Sequence, residues 1–228
     1  MRSFNLIASG IFVALGISWL GIVITGHIQF GDLRVMTESY QWDKENEVFM
    51  VEVPTEGQER YPAIMDGRSR QGKDVYISLG CVVCHTQQVS RVGLNTDIAR
   101  GWGIRESLAR DYIRQERVLI GSQRIGSDLA HVGSRLASRE QTHLLIYNPT
   151  LLDEQSLMPP YPFLYEKRKI RQGVRSSNAL TFPNGYEPEE GYEIVPSMRA
   201  EALVTYLHSL KIDYQLPEMF FNQPINEK

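Results

Sequence analysis

Cysteine is nearly absent from this chain. Only Cys81 and Cys84 occur among 228 residues. A structural zinc centre usually takes four Cys/His ligands, and no second cysteine pair is there to complete one. A thioredoxin-like redox pair would want a βαβ context and has no use for the histidine that follows at His85. A plain disulfide between Cys81 and Cys84 remains as the bland reading. Net charge is also small, −3, so no excess of one sign points to nucleic acid as a partner. No internal repeat is visible. Charge is missing altogether from Phe4 to Gly26, FNLIASGIFVALGISWLGIVITG.

What is there starts with Cys81-Val82-Val83-Cys84-His85. Cys-x-x-Cys-His is the attachment signature of a c-type haem. Two thiols add across the haem vinyl groups, and the two-residue gap lets both reach one macrocycle. The adjacent imidazole reaches the iron from the proximal side. The expected cofactor is one covalently bound haem c on Cys81 and Cys84, with His85 on the iron.

The uncharged run suits a helix of about 30 Å, enough to cross a hydrocarbon core. A cleaved signal peptide would have an apolar region of roughly 7–15 residues and an A-x-A-like end. This run is longer, and Ile24-Thr25-Gly26-His27 is a poor cleavage site, so an uncleaved anchor is expected. Trp19 suits the membrane interface, though Trp also occurs inside spans. Arg2 and the amino terminus favour a cytoplasmic start. Cysteine-attached haem is assembled outside the bacterial cytoplasm, which places the rest of the chain on the periplasmic or equivalent side of the inner membrane.

Four regions follow: a transmembrane anchor (1–30), an acidic connector (31–65), a haem domain (66–213) and a C-terminal tail (214–228). The connector holds a candidate strand at Val48–Val53, ended by Pro54 and Gly57. Either it spaces or wraps the haem domain above the membrane, or it is a solvated linker. Gly72–Leu79 reads as a short helix running into Cys81, with Gly72 and Tyr76 on one face. Ser197 is a candidate N-cap for a helix from Met198 to Lys211, whose stripe is Leu203, Tyr206, Leu207 and Leu210. Terminal helices that cross, with a glycine permitting close approach, resemble the class I cytochrome c fold. The expected fold class is therefore mainly α: one N-terminal transmembrane helix, then a class I cytochrome c-like domain with long loops. Between the terminal helices, Arg105–Arg117 reads as a helix, and Ser138 caps another through Tyr147, stopped by Asn148-Pro149. The basic stretch 167–175 reads as a solvated loop, with a docking surface as its rival. Residues 176–196 read as loop.

The sixth ligand to the iron is sought among His131, His143, His208, Met158, Met198 and Met219. Met158 is the best candidate, because Ser156-Leu157-Met158-Pro159-Pro160-Tyr161-Pro162 is a proline-stiffened loop that holds a thioether at low entropic cost. A packed core methionine is the alternative. His/Met ligation suits electron transfer and fills both axial positions. Around the haem, Ser127 stands where many class I cytochromes have the proline of Gly-Pro-x-Leu. Its carbonyl remains available to the proximal histidine, and Leu129 is placed on the haem. Arg124 and Arg100 are each either propionate partners or surface arginines.

GCVVCHTQQV, RGWG, LIGSQRIGSDLAHVGSR and YNPTLLDEQSLMPPYPFL follow the anchor in that order. The arrangement resembles the mono-haem, membrane-anchored cytochrome c subunit (subunit II, CcoO/FixO type) of cbb3-type cytochrome c oxidases. The long spacer between His85 and Gly126 resembles that family too. The chain differs from it at Ser127, and at Gln141-Thr142-His143 where a Trp-His pair is common. The resemblance implies haem c on Cys81, Cys84, His85 and Met158. It implies a haem–copper catalytic subunit that reduces oxygen, further c-type cytochrome subunits and a donor cytochrome as partners. The chain itself would be a non-catalytic electron-transfer subunit. Rival readings are the cytochrome c subunit of a nitric oxide reductase, a free-standing membrane-bound carrier, and a haem sensor or peroxidase-like enzyme with an open distal site. A purely structural anchor would leave CVVCH unexplained.

Overall fold

The computed structural model describes residues 2–31, 33–36, 39–43, 48–52 and 61–219. Its first element is apolar and stands apart from the rest. Helix α1 (Arg2–Trp19) runs through a π-helical turn at Leu20–Ile24 into α2 (Thr25–Phe30). Within the stretch Ser3–Ile28 an 18-residue window reaches a mean hydropathy of 2.3, and none of that window is buried against the chain. At 26 residues and about 1.5 Å rise per residue, it is long enough to span a bilayer.

An antiparallel hairpin follows, β1 (Ser39–Asp43) with β2 (Val48–Glu52). The strand expected at 48–53 is thus β2, and Val53 lies outside the described residues. The connector's described ends are docked. Met36 and Tyr61 exchange two backbone hydrogen bonds of 2.9 and 2.8 Å, and Tyr61 stacks on Tyr214 at 4.7 Å between ring centroids. Arg110 donates to the Arg34 carbonyl. These contacts favour a wrapping segment over a solvated linker. Residues 214–216, placed in the tail by sequence, pack with the domain: Tyr214 and Leu216 are buried.

The cytochrome c-like domain is built on two crossing helices. Asp66 caps α3 (Gly67–Ser78), its carboxylate accepting from the Ser69 N–H at 2.7 Å. Ser197 caps α6 (Met198–Ser209) by accepting from the Ala200 N–H. Each cap satisfies a backbone donor that the first helical turn leaves free. Ser69, Gly72, Val75 and Tyr76 form the buried face of α3, and Ala200, Leu203, Val204 and Tyr206 lie on that of α6. The helices meet at Gly72. A Cβ there would sit 2.0 Å from the Ala202 carbonyl oxygen and 2.6 Å from the Tyr206 Cβ. Only a glycine admits this approach. Short helix α4 (Cys81–Cys84) follows α3, and α5 (Arg139–Tyr147) lies on α6, capped by Ser138 and ended at Asn148-Pro149 as expected. The core joins these helices through Leu129, Leu144, Ile146 and Leu164.

Two expectations are corrected. Residues 105–117 are not a helix; only Ala109–Tyr112 forms a 3-10 turn. The cause is the Arg105 guanidinium, which turns inward to donate to both oxygens of Asp111 at 2.8 and 2.7 Å. Asp111 also accepts from the Leu108 N–H and from the Tyr214 hydroxyl. This buried cluster outweighs a short apolar stripe. The basic stretch and the loop after it also hold strands: β3 (Tyr165–Lys169) pairs antiparallel with β4 (Tyr192–Pro196). Lys167 lies 4.8 Å over the Tyr192 ring and bridges to Glu189. Arg168 and the backbone and hydroxyl of Ser176 converge on buried Glu193.

Replacing Gly72 by Ala tests the crossing. Helix propensity alone would stabilise by about 1 kcal/mol. Overpacking against a rigid backbone carbonyl costs more, so a net loss of about 2 kcal/mol is expected. Thermal unfolding of the full chain followed by circular dichroism measures it, and a stability equal to or above the parent would show that the helices have room.

Candidate haem-binding site

Helix α3 delivers the chain into the site. Cys81 and Cys84 are three residues apart on the single turn of α4, so both thiols project from one side. Both are free and half-buried, not joined to each other. His85 leaves α4 in extended backbone, φ −110° and ψ 111°. Its carbonyl accepts from the Tyr76 hydroxyl at 2.6 Å, so α3 grips the residue that follows the turn.

The His85 ring has one orientation. Its Nδ1 lies 2.9 Å from the Ser127 carbonyl oxygen. A carbonyl only accepts, so Nδ1 carries the proton and Nε2 keeps its lone pair. Burial pushes the imidazole below its ordinary pKa, with the Ser127 carbonyl pulling the other way. The ring is thus neutral with Nε2 as its basic atom, which is the form that binds a metal. Gly126 makes this possible. A Cβ on it would lie 2.2–2.7 Å from three atoms of the ring.

Segment 119–129 is laced to 83–87 by backbone hydrogen bonds. Gln87 donates to Leu119, Gln123 to Val83, Gly126 to Cys84 and Leu129 to Thr86, at 2.8–3.0 Å. Ser127 therefore serves as an acceptor although the proline is missing, and Leu129 is buried in the core. Arg124 takes a left-handed φ of 49° and is engaged within the chain. It donates to Ser90 Oγ at 2.8 Å and pairs with Asp97 at 2.7 Å. Arg100 lies 5.0 Å over the Trp102 ring.

The other candidate iron ligands divide clearly. His131 Nδ1 accepts from the Ile212 N–H, His143 meets the Tyr165 hydroxyl, and His208 meets Thr142. Met198 opens α6 at 83 % exposure. Met219 sits in a 3-10 turn beyond the core. Met158 is half-buried in its proline loop, its N–H reaching Ser156 Oγ at 3.3 Å. The loop is anchored by Tyr161, whose N–H donates to the Ile146 carbonyl at 3.0 Å. The Tyr161 phenol and the Cys81 thiol are electrostatic neighbours, and burial raises both pKa values. The Met158 loop thus reaches the turn of the two cysteines. Tyr76 and Tyr161 are site residues that sequence reasoning missed. Tyr76 carried a faint signal, being on the α3 face that meets α6; Tyr161 carried none beyond its place after Pro160.

A small mainly α domain with a fixed neutral imidazole beside two free thiols defines a cytochrome c-like protein. The family "cytochrome c oxidase, mono-heme subunit/FixO" matches residues 66–202, and the chain belongs to it. No curated protein sequence matches the chain. Family membership brings a single haem. The residues present fit one: two unpaired thiols on one helical turn, a histidine with Nε2 free, and apolar side chains left exposed at Ile125, next to Gly126, and at Leu157 and Phe163, in and after the Met158 loop. Among the described residues, no cluster of His, Cys, Asp or Glu is suited to a bare metal ion.

Gly126→Ala tests the fit around His85. The added methyl overlaps the ring, which must leave the Ser127 carbonyl. The yield of haem-bearing chain, read as pyridine haemochrome absorbance per protein, should fall at least tenfold; an unchanged yield and Soret band would show that the ring has other room.

Proposed function

We propose that this chain is the membrane-anchored electron-transfer subunit of a cbb3-type haem–copper terminal oxidase. It takes electrons from a donor cytochrome and hands them to the catalytic subunit. One haem c would be held by thioethers to Cys81 and Cys84, with His85 and Met158 as the axial ligands. The observation that carries this reading is the His85 imidazole fixed by Ser127 beside two free thiols, in a chain of the oxidase mono-haem family.

The bound haem would supply a one-electron iron couple, raised in potential by His/Met ligation. The chain's own residues do the rest. Ser127 and Tyr76 hold the His85 segment from two sides. Tyr161 brings the Met158 loop to Cys81. His131, His143 and His208 are engaged in the fold, which favours Met158 as second ligand and a relay over an enzyme with an open position.

The apolar helix would anchor the domain on the periplasmic side of a bacterial inner membrane, because covalent haem attachment takes place outside the cytoplasm. Gly10, Gly16 and Gly21 have open space where a side chain would stand. Such positions let a partner helix approach closely in the membrane. The partners inferred are the haem–copper subunit, which carries out oxygen reduction, and other c-type cytochrome subunits.

Purification in mild detergent tests the assignment. The chain should copurify with a haem–copper subunit, and the complex should consume oxygen when given reductant. Uptake of nitric oxide alone would reassign it to a nitric oxide reductase, and isolation without any such partner would remove the subunit role. The ligand set has its own test. Met158→Ala should lower the midpoint potential and let the reduced protein bind carbon monoxide; an unchanged spectrum and potential would rule Met158 out.

A further inference from the structure

Asp128 is completely buried, yet among the described residues no cation pairs with its carboxylate. Arg124 is committed to Asp97, and the Arg135 guanidinium donates to the Asp128 main-chain carbonyl. Burying a carboxylate without a counter-charge is expensive, so what the side chain does instead is informative. Oδ2 accepts from the Gln88 N–H at 2.9 Å, and Oδ1 accepts from the Ala130 N–H at 2.8 Å. One end of the carboxylate thus holds the segment leaving His85. The other holds the loop that carries the Ser127 carbonyl.

We propose that Asp128 is a positioning residue for His85: its carboxylate straps loop 126–130 to segment 86–88 and so aims the Ser127 carbonyl at the imidazole N–H. The peptide plane between Ser127 and Asp128 owns that carbonyl. Its orientation follows from ψ of Ser127 and φ of Asp128. Two hydrogen bonds accepted by the Asp128 side chain, with Leu129 N–H on Thr86 and Gly126 N–H on Cys84, leave the plane little freedom. The proline that would stiffen this loop is absent, since Ser127 stands in its place. A neutral amide at 128 is a poor substitute. Asn presents one acceptor and one donor, and the donor would face a backbone N–H.

The inference rests on His85 being a haem-iron ligand. A firm Nδ1–H···O=C bond makes the imidazole a more basic ligand and favours ferric iron. Loosening the strap should therefore raise the midpoint potential.

The experiment uses the full-length haem-bearing chain in detergent, labelled with 15N and reduced. In the parent, the protection factor of the His85 Nδ1–H, its exchange rate referred to that of a free imidazole N–H, should match those of the Gln88 and Ala130 amides within a few-fold, because one opening exposes all three. In Asp128→Asn the Nδ1–H should exchange at least tenfold faster and the potential should rise, with the His/Met spectrum retained. If the potential moves while Nδ1–H exchange stays the same, the carboxylate acts through its charge alone, and the positioning role is overturned. If the variant acquires no haem, the parent decides: an Nδ1–H whose protection factor is more than tenfold below those of the two amides overturns the proposal. A parent chain that carries no haem on Cys81 and Cys84, or lacks histidine ligation, overturns the haem reading itself before Asp128 is altered.

Discussion

The crossing of α3 and α6 at Gly72 is the contact on which the site depends. Because the Ala202 carbonyl fits where a side chain would otherwise stand, the two helices lie close enough for their tyrosines to meet, with ring centroids 5.6 Å apart. Those tyrosines then grip the segment that leaves the cysteine turn. Tyr76 from α3 donates to the His85 carbonyl, and Tyr206 from α6 donates to the Gln87 side chain at 2.9 Å. Tyr112 adds a third hydroxyl, on the Gln87 carbonyl. Pushing the helices apart would thus loosen residues 85–87 as well as the core. The hydroxyl bonds turn a packing distance into the position of an imidazole.

The long excursion between residues 88 and 125 has little apolar core of its own. Buried ionic clusters organise it instead. Arg105 and Asp111 are both almost fully buried, and Arg105 donates two hydrogen bonds to Asp111, with Tyr214 closing the set from the chain's far end. Asp97 accepts from the Ser90 N–H and from Arg124. Such pairs give little net stability, since each charge must leave water. Removing one partner is another matter, because it strands the other inside. They specify one path for a loop that apolar contacts would leave free to choose among several.

Much of this was legible in the sequence where the signal is local. Ser138 and Ser197 announced their helices because an N-cap acts within three residues. Gly72 and Tyr76 announced the crossing face by their spacing, and CVVCH carried the expectation of haem attachment in five residues. Elements fixed by distant partners were not legible. Residues 165–169 read Tyr-Glu-Lys-Arg-Lys, with no alternation, because four of the five point to solvent. Only the pairing with 192–196 makes them a strand. The apolar residues Leu108, Tyr112 and Ile113 suggested a helix, but Arg105 had a partner six residues on whose burial no pattern reveals. Tyr161 reaches Cys81 across eighty residues of chain.

The docked connector matters for what an anchored relay can do. A free linker from residue 31 to 65 would extend on the order of 100 Å at about 3.3 Å per residue. Electron transfer to a partner in the membrane would then wait on chance approach. Met36 is instead hydrogen-bonded to Tyr61, which stacks on Tyr214, which bonds to Asp111 inside the domain. Only the short stretch after Phe30 separates that attachment from the end of the apolar helix. At the same rise per residue it reaches about 20 Å. The domain is thus confined near the membrane surface by a chain of named contacts. If the site holds its haem as proposed, that confinement raises the local concentration of the relay at its partner without any direct contact between their surfaces. The same logic explains why the connector spends aromatic and backbone contacts on a segment whose composition reads as solvent-exposed.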